Sequence, residues 1–172
     1  DAVILPGLVN THTHLALTGF AGQAEEADFP AWIRRIRALK AERTSADFLA
    51  AARAGLADCF AAGVTTVADT GDSGAVIEAL AEVGGSGIAY HEVFGPHPDQ
   101  LGESMAALRQ RVDELSRFAS ERVRLGVSPH APYTVSGPLY AAVAAFAERE
   151  GLPLAVHLAE SEAESALMDA AS

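Results

Sequence analysis

A chain of 172 residues that is 49% hydrophobic and 20% charged has the apolar surface for a buried core, which excludes a disordered, collagen-like or small disulfide-stapled chain. Its net charge of -11 argues against nucleic acid, whose binding uses Lys and Arg to neutralise phosphates. The longest apolar stretches, such as 141–147, fall far short of the roughly 18 to 20 residues of a bilayer span, so no membrane partner is expected.

The opening residues 1–5 read as the inside of a longer protein, and Pro6 and Gly7 supply a turn before a first strand over 8–12. His12 and His14 close that strand. Side chains two apart in a strand share a face, so both imidazoles can aim at one point, and neutral imidazole suits zinc or iron. An H-x-H pair alone is a weak pattern, and chance spacing stays open as its explanation. Phe29, Trp32 and Ile36 then give a helical apolar stripe, which reads as core more readily than as a cofactor box.

A helix over 46–62 follows, with Ser45 as its N-cap and Gly63 as its stop, and it carries the lone cysteine, Cys59, as a buried core residue. Cys59 has no internal disulfide partner, which fits a reducing compartment. Strands over 64–69 and 88–94 come next, with Asp69, His91 and His97 near their ends. Each of these three reads first as structural or solvent-facing. After a helix over 99–119, a strand over 123–128 leads into Ser128-Pro129-His130-Ala131-Pro132-Tyr133-Thr134. Two prolines stiffen that loop, which holds His130 at the strand exit either as a substrate contact or as part of a turn.

A helix over 139–150, ended by Gly151 and Pro153, precedes a fifth apolar run over 154–158 with His157 near its end and Glu160 three residues on. The C-terminal end of a parallel strand is where α/β folds place their sites. A core histidine and a solvated helix-start acid are the bland alternatives. Apolar runs alternating with helices imply a parallel sheet, either open and doubly wound or part of a barrel. A complete barrel takes roughly 250 residues for eight units, so five units match this length.

Taken together, the motifs at 6–14, 63–67, 128–133 and 157–160 resemble the amidohydrolase superfamily, most closely the branch of S-adenosylhomocysteine and 5'-methylthioadenosine deaminases, guanine deaminase and triazine hydrolases. The resemblance covers essentially the whole chain. It implies an α/β fold, a partial TIM-type (β/α)8 barrel of about five strand-helix units over 6–172, with 1–5 the end of a β-sandwich domain or a linker. It implies His12, His14 and His157 as ligands of one divalent metal ion, zinc ahead of iron. By the same resemblance Glu160 is the catalytic acid that shuttles a proton to the ring, His130 a substrate or oxyanion contact, and Trp32 a residue bordering the pocket. The family also supplies a histidine after the sixth strand and an aspartate after the eighth, which this sequence does not reach, so the segment by itself is expected to be inactive.

The implied chemistry is hydrolytic deamination of a small aminated heterocycle such as an adenosine derivative, by water whose pKa a metal lowers from about 15.7 towards about 7. The implied protein is a cytoplasmic homo-oligomer acting on a small molecule. A chlorohydrolase or amide-cleaving hydrolase is the nearest rival. A futalosine-type deaminase is suggested by Trp32-Ile33-Arg34 and Pro132-Tyr133, although Ala16 stands where an acid usually follows H-T-H-L in that group. A non-catalytic metal-binding or assembly module is the rival of another class.

Overall fold

The computed structural model describes residues 2–26 and 28–171. Asp1, the first residue of the expected linker, lies outside the described residues, and residues 2–5 run as exposed coil. Four strands, β1 (Leu8–Thr13), β2 (Val64–Gly71), β3 (Gly87–Val93) and β4 (Val123–Pro129), form one sheet in the order β1-β2-β3-β4. Every pairing is parallel, with Asn10 opposite Val67, Ala68 opposite Ile88 and Glu92 opposite Ser128. Sequential parallel order rules out the reversed strand order of a doubly wound open sheet and is that of one arc of a barrel.

Between the strands lie a 3-10 turn (Leu15–Phe20), α1 (Phe29–Ala41) and α2 (Ser45–Ala61), then α3 (Ala75–Val83), α4 (Leu101–Ser116) and α5 (Gly137–Glu150), with α6 (Glu162–Ala171) last. Strands β2, β3 and β4 alternate between two sides, while β1 pairs through two register shifts. Val67, Ala89, Val123 and Leu125 pack with Leu56, Ile77 and Leu80 of α2 and α3. Val93 and Val127 pack with Leu108, Leu139 and Val143 of α4 and α5. Fully burying one such Leu stabilises by about 2 kcal/mol, so this side anchors the sheet. The two-residue period therefore turns Thr70, Glu92 and Ser128 to the other side, the concave face where the site forms.

Three sequence expectations need correction. Thr44, not Ser45, caps α2, because its hydroxyl accepts from Asp47 N at 3.3 Å while Asp47 Oδ2 accepts from Thr44 N at 2.8 Å, closing a capping box. The helix expected over 99–119 begins as a 3-10 turn (Pro98–Gln100) and is α-helical over Leu101–Ser116.

The fifth run forms no strand. It docks beside β4 through one isolated parallel bridge, Val127 with Leu154, and through the hydrogen bonds Val127 N to Pro153 O, Ala155 N to Val127 O and His157 N to His130 O. Pro153 has no N–H to extend the ladder backwards. Gly126 makes this docking close, since a Cβ there would sit 2.8 Å from Pro153 O and 2.5 Å from Tyr90 Cδ1. Gly151, with φ of 65°, ends α5 in the left-handed conformation and turns the chain towards β4.

Candidate metal centre

The concave face gathers the histidines at one rim. His12 is the next-to-last residue of β1 and is exposed, and His14 follows directly after the strand, at the start of the 3-10 turn. His157 arrives on the docked segment. Ring centroids stand 5.0 Å apart for His12 and His14, 5.0 Å for His12 and His157, and 5.3 Å for His14 and His157. The three rings offer ligand atoms that all lie within 4.8 Å of one another.

Neighbours choose the free nitrogens. His14 Nδ1 is 2.9 Å from the Thr70 carbonyl, which can only accept, so Nδ1 carries the proton and Nε2 keeps its lone pair. Thr70 Oγ1 bridges behind the pair, 3.2 Å from His14 Nδ1 and 3.4 Å from His157 Nε2. Burial lowers the pKa of His14, a shift the Thr70 carbonyl partly opposes, and burial likewise lowers that of His157, against the pull of Glu160. Neutral imidazole is the ligating form, so this donor set fits a zinc-type ion.

His130 joins them from the loop after β4, its ring 4.9 Å from that of His157 and 4.9 Å from that of Phe94. Thr134 Oγ1 donates to Ala131 O at 3.1 Å and lies 2.8 Å from His130 Nδ1. The Thr134 hydroxyl therefore anchors the His130 ring through Nδ1. Burial, followed by His157, pushes the His130 pKa down to about 4.

Glu160 is exposed at the rim, and its Oε2 accepts from the Tyr133 hydroxyl at 2.6 Å. Burial and Glu160 together push the Tyr133 pKa upward. The backbone before Glu160 is fixed as well. Ala159 takes a φ of 60°, unusual for a residue with a Cβ, and Ala159 N and Glu160 N donate to the buried Glu164 carboxylate at 3.1 and 2.7 Å.

Sequence reasoning passed over Glu92 and Thr70. Glu92 is buried on the concave face, and its carboxylate, His130 and His157 form a second group with ligand atoms within 4.8 Å of one another. Burial, then Asp72, raises its pKa to about 7. The available signal was a lone acid inside the apolar run 88–94, since an acid in a covered strand has a partner.

The remaining candidates sit elsewhere. Trp32 stacks on Phe29 at 5.9 Å and packs with Phe20, Ile36 and Leu39, beside Leu17, whose N–H donates to His14 O. His91 is buried on the helix side. His97 is exposed and caps the 3-10 turn before α4, and Asp69 is buried with Oδ2 accepting from Leu15 N at 2.6 Å. Cys59 is buried in the core, where burial raises its thiol pKa. Among the described residues no helix is long and apolar enough to cross a membrane.

Residues 3–172 match the family model described as the amidohydrolase family. The aminodeoxyfutalosine deaminase of Deinococcus radiodurans is 37% identical over 171 residues, covering 95% of this chain and 38% of its own length. A 5-methylthioadenosine/S-adenosylhomocysteine deaminase of Desulfitobacterium hafniense is 30% identical over 169 residues, covering 95% and 38%. The chain thus spans under two fifths of the length of these relatives. In fold it is similar to the adenosine deaminase from Xanthomonas campestris with bound zinc, with a TM-score of 0.83 at 23% identity over 96% of this chain and 38% of that one. It is also similar to the Helicobacter pylori aminofutalosine deaminase in complex with methylthio-coformycin, with a TM-score of 0.74 at 20% identity over 91% and 38%.

Proposed function

This chain belongs to the amidohydrolase family, and from that membership we propose that it forms the metal-holding part of a hydrolase that removes the ring amino group of an adenosine-derived nucleoside. Water replaces the amino group and ammonia leaves. The observation that carries the reading is the convergence of His12, His14 and His157 within 4.8 Å on the concave face, with Glu160 at the same rim. These three histidines would hold one divalent ion, zinc ahead of iron, in keeping with an all-imidazole donor set and with the zinc in the structurally similar adenosine deaminase. Bound there, the ion supplies the Lewis acidity that lets water lose a proton near neutral pH.

Glu160 would take one proton of the attacking water and hand it to the ring nitrogen as the water oxygen bonds to the neighbouring carbon; the second proton of that oxygen passes to the amino nitrogen as its bond to the carbon breaks, leaving a ring carbonyl and ammonia. Tyr133 holds one carboxylate oxygen of Glu160 and leaves the other to the substrate. His130, its ring anchored by Thr134, is a substrate or oxyanion contact. Trp32 packs in the α1 cluster away from the histidines, and a pocket contact for it would arise only in the whole protein. We place the whole protein in the cytoplasm as a homo-oligomer, with residues 1–5 joining the barrel to a preceding domain and the exposed border residues Leu8, Val9 and Leu158 covered by further polypeptide.

The test is ammonia release by the whole protein across aminodeoxyfutalosine, 5'-methylthioadenosine, S-adenosylhomocysteine, 5'-deoxyadenosine, guanine and a triazine. The 37% identity to the Deinococcus radiodurans enzyme puts the first of these ahead. Release of ammonia from at least one nucleoside is expected. Release of chloride or a carboxylate alone favours the rival hydrolase, and zinc binding with no turnover favours the non-catalytic module.

A further inference from the structure

Glu92 stands on the concave face in the middle of a sheet whose other side is packed with aliphatic residues, and its side chain is 6% exposed. A buried carboxylate without a partner is costly, so something at this spot must answer it. Lys40 acts on it only at a distance, its ammonium being hydrogen-bonded to Asp72 at 2.6 Å. The group in front of Glu92 is His157, whose side chain is equally 6% exposed. Both Glu92 Oε1 and His157 Nδ1 are buried without a hydrogen-bond partner among the described residues, and they face each other across 4.0 Å.

The two nitrogens of His157 look in different directions. Nε2 lies on the side of Thr70 Oγ1 and His14, where the three histidines converge, and Nδ1 lies towards Glu92. We propose that Glu92 is the positioning residue of His157: its carboxylate accepts a hydrogen bond from Nδ1–H, fixes the Nε2 lone-pair tautomer and aims that nitrogen at the ion. Closing the gap by about 1 Å makes the bond. A histidine that ligates a metal commonly donates its other N–H to a carboxylate, and loss of such a partner weakens metal binding by roughly 10 to 100-fold. The proposal rests on the functional reading above in taking His157 as a metal ligand.

The experiment uses the whole protein as wild type, Glu92→Gln and Glu92→Leu, each stripped of metal and titrated with zinc against a competing chelator. Melting temperatures of the metal-free forms and the ¹⁵N signals of the His157 ring are recorded alongside. The expected result is one zinc per wild-type chain, binding weakened roughly 10 to 100-fold in Glu92→Leu, and an intermediate loss in Glu92→Gln, which still accepts one hydrogen bond. Metal-free melting temperatures should stay level or rise, since a merely structural acid would lower them, and His157 should be protonated at Nδ1. Wild-type zinc affinity in Glu92→Leu overturns the proposal. So does His157 protonated at Nε2, or two zincs per wild-type chain of which Glu92→Leu loses one. If Glu92→Leu does not fold, Glu92→Gln and the His157 signals decide by the same criteria. Absence of zinc binding in the wild type contradicts the proposed function instead, and the His157 signals still decide whether Glu92 holds that ring.

Discussion

Glu160 and His91 put opposite demands on a single side chain. Glu160 is exposed and touches Tyr133, so little packing depends on it. Glu160→Gln keeps its size and one acceptor but removes the transferable proton, and general acid-base groups contribute about 10² to 10⁴-fold. The whole-protein variant should lose that much turnover while keeping its zinc and its melting temperature, and wild-type turnover would remove Glu160 from the chemistry. His91 is a stability group. Burial, followed by the Arg111 guanidinium, holds its pKa at about 4 against an ordinary 6.5. Below pH 6.5 the unfolded chain takes the proton first, so stability is full above that pH and falls as pH drops towards 4, by about 3 kcal/mol at most. Urea unfolding at about pH 7 and about pH 4.5 should show a smaller acid loss in His91→Phe than in wild type, the other carboxylates being common to both. Equal losses would contradict this.

The fifth run is the element on which the site turns. It brings His157 to the cluster through hydrogen bonds to Val127 and His130, over a glycine that leaves room for Pro153 O. Gly126→Ala would press a methyl 2.8 Å from that oxygen, so the segment should shift and zinc retention should fall although the helix-side core is untouched. Unchanged zinc content in a folded Gly126→Ala would show that the segment tolerates the shift. This element also marks how far the sequence could be read. The four strands fall within two residues of their expected ranges, because apolar β-branched runs bounded by glycine, proline and polar residues are local signals. The run over 154–158 is apolar enough to suggest a fifth strand, but its pairing depends on neighbours distant in sequence and reduces to one bridge. The gathering of His12, His14 and His130 is legible from strand ends, and that of His157 from the end of an apolar run. Glu92 and Thr70 are not, because their value lies in register: only the parallel pairing of β2, β3 and β4 turns them to the face where His14 and His157 arrive.

At the scale of the molecule, four parallel strands in sequential order carry helices on one side and a polar cluster on the other, which is the division of labour of a barrel enzyme. Stability resides in the aliphatic layers between strands and helices, and the proposed chemistry at the strand exits. The apolar borders, with Leu8 and Val9 each 61% exposed and Leu158 70% exposed, are surfaces that a complete barrel covers. The central claim is that three histidines from the two borders of this arc, His12 and His14 on one and His157 on the other, serve one ion. Zinc content of the whole protein, wild type against the His12→Ala/His14→Ala double variant, tests it most directly. The account predicts one zinc per wild-type chain and its loss from the double variant after dialysis against chelator, with the melting temperature of the metal-free form preserved. Stoichiometric zinc surviving in the double variant would contradict it.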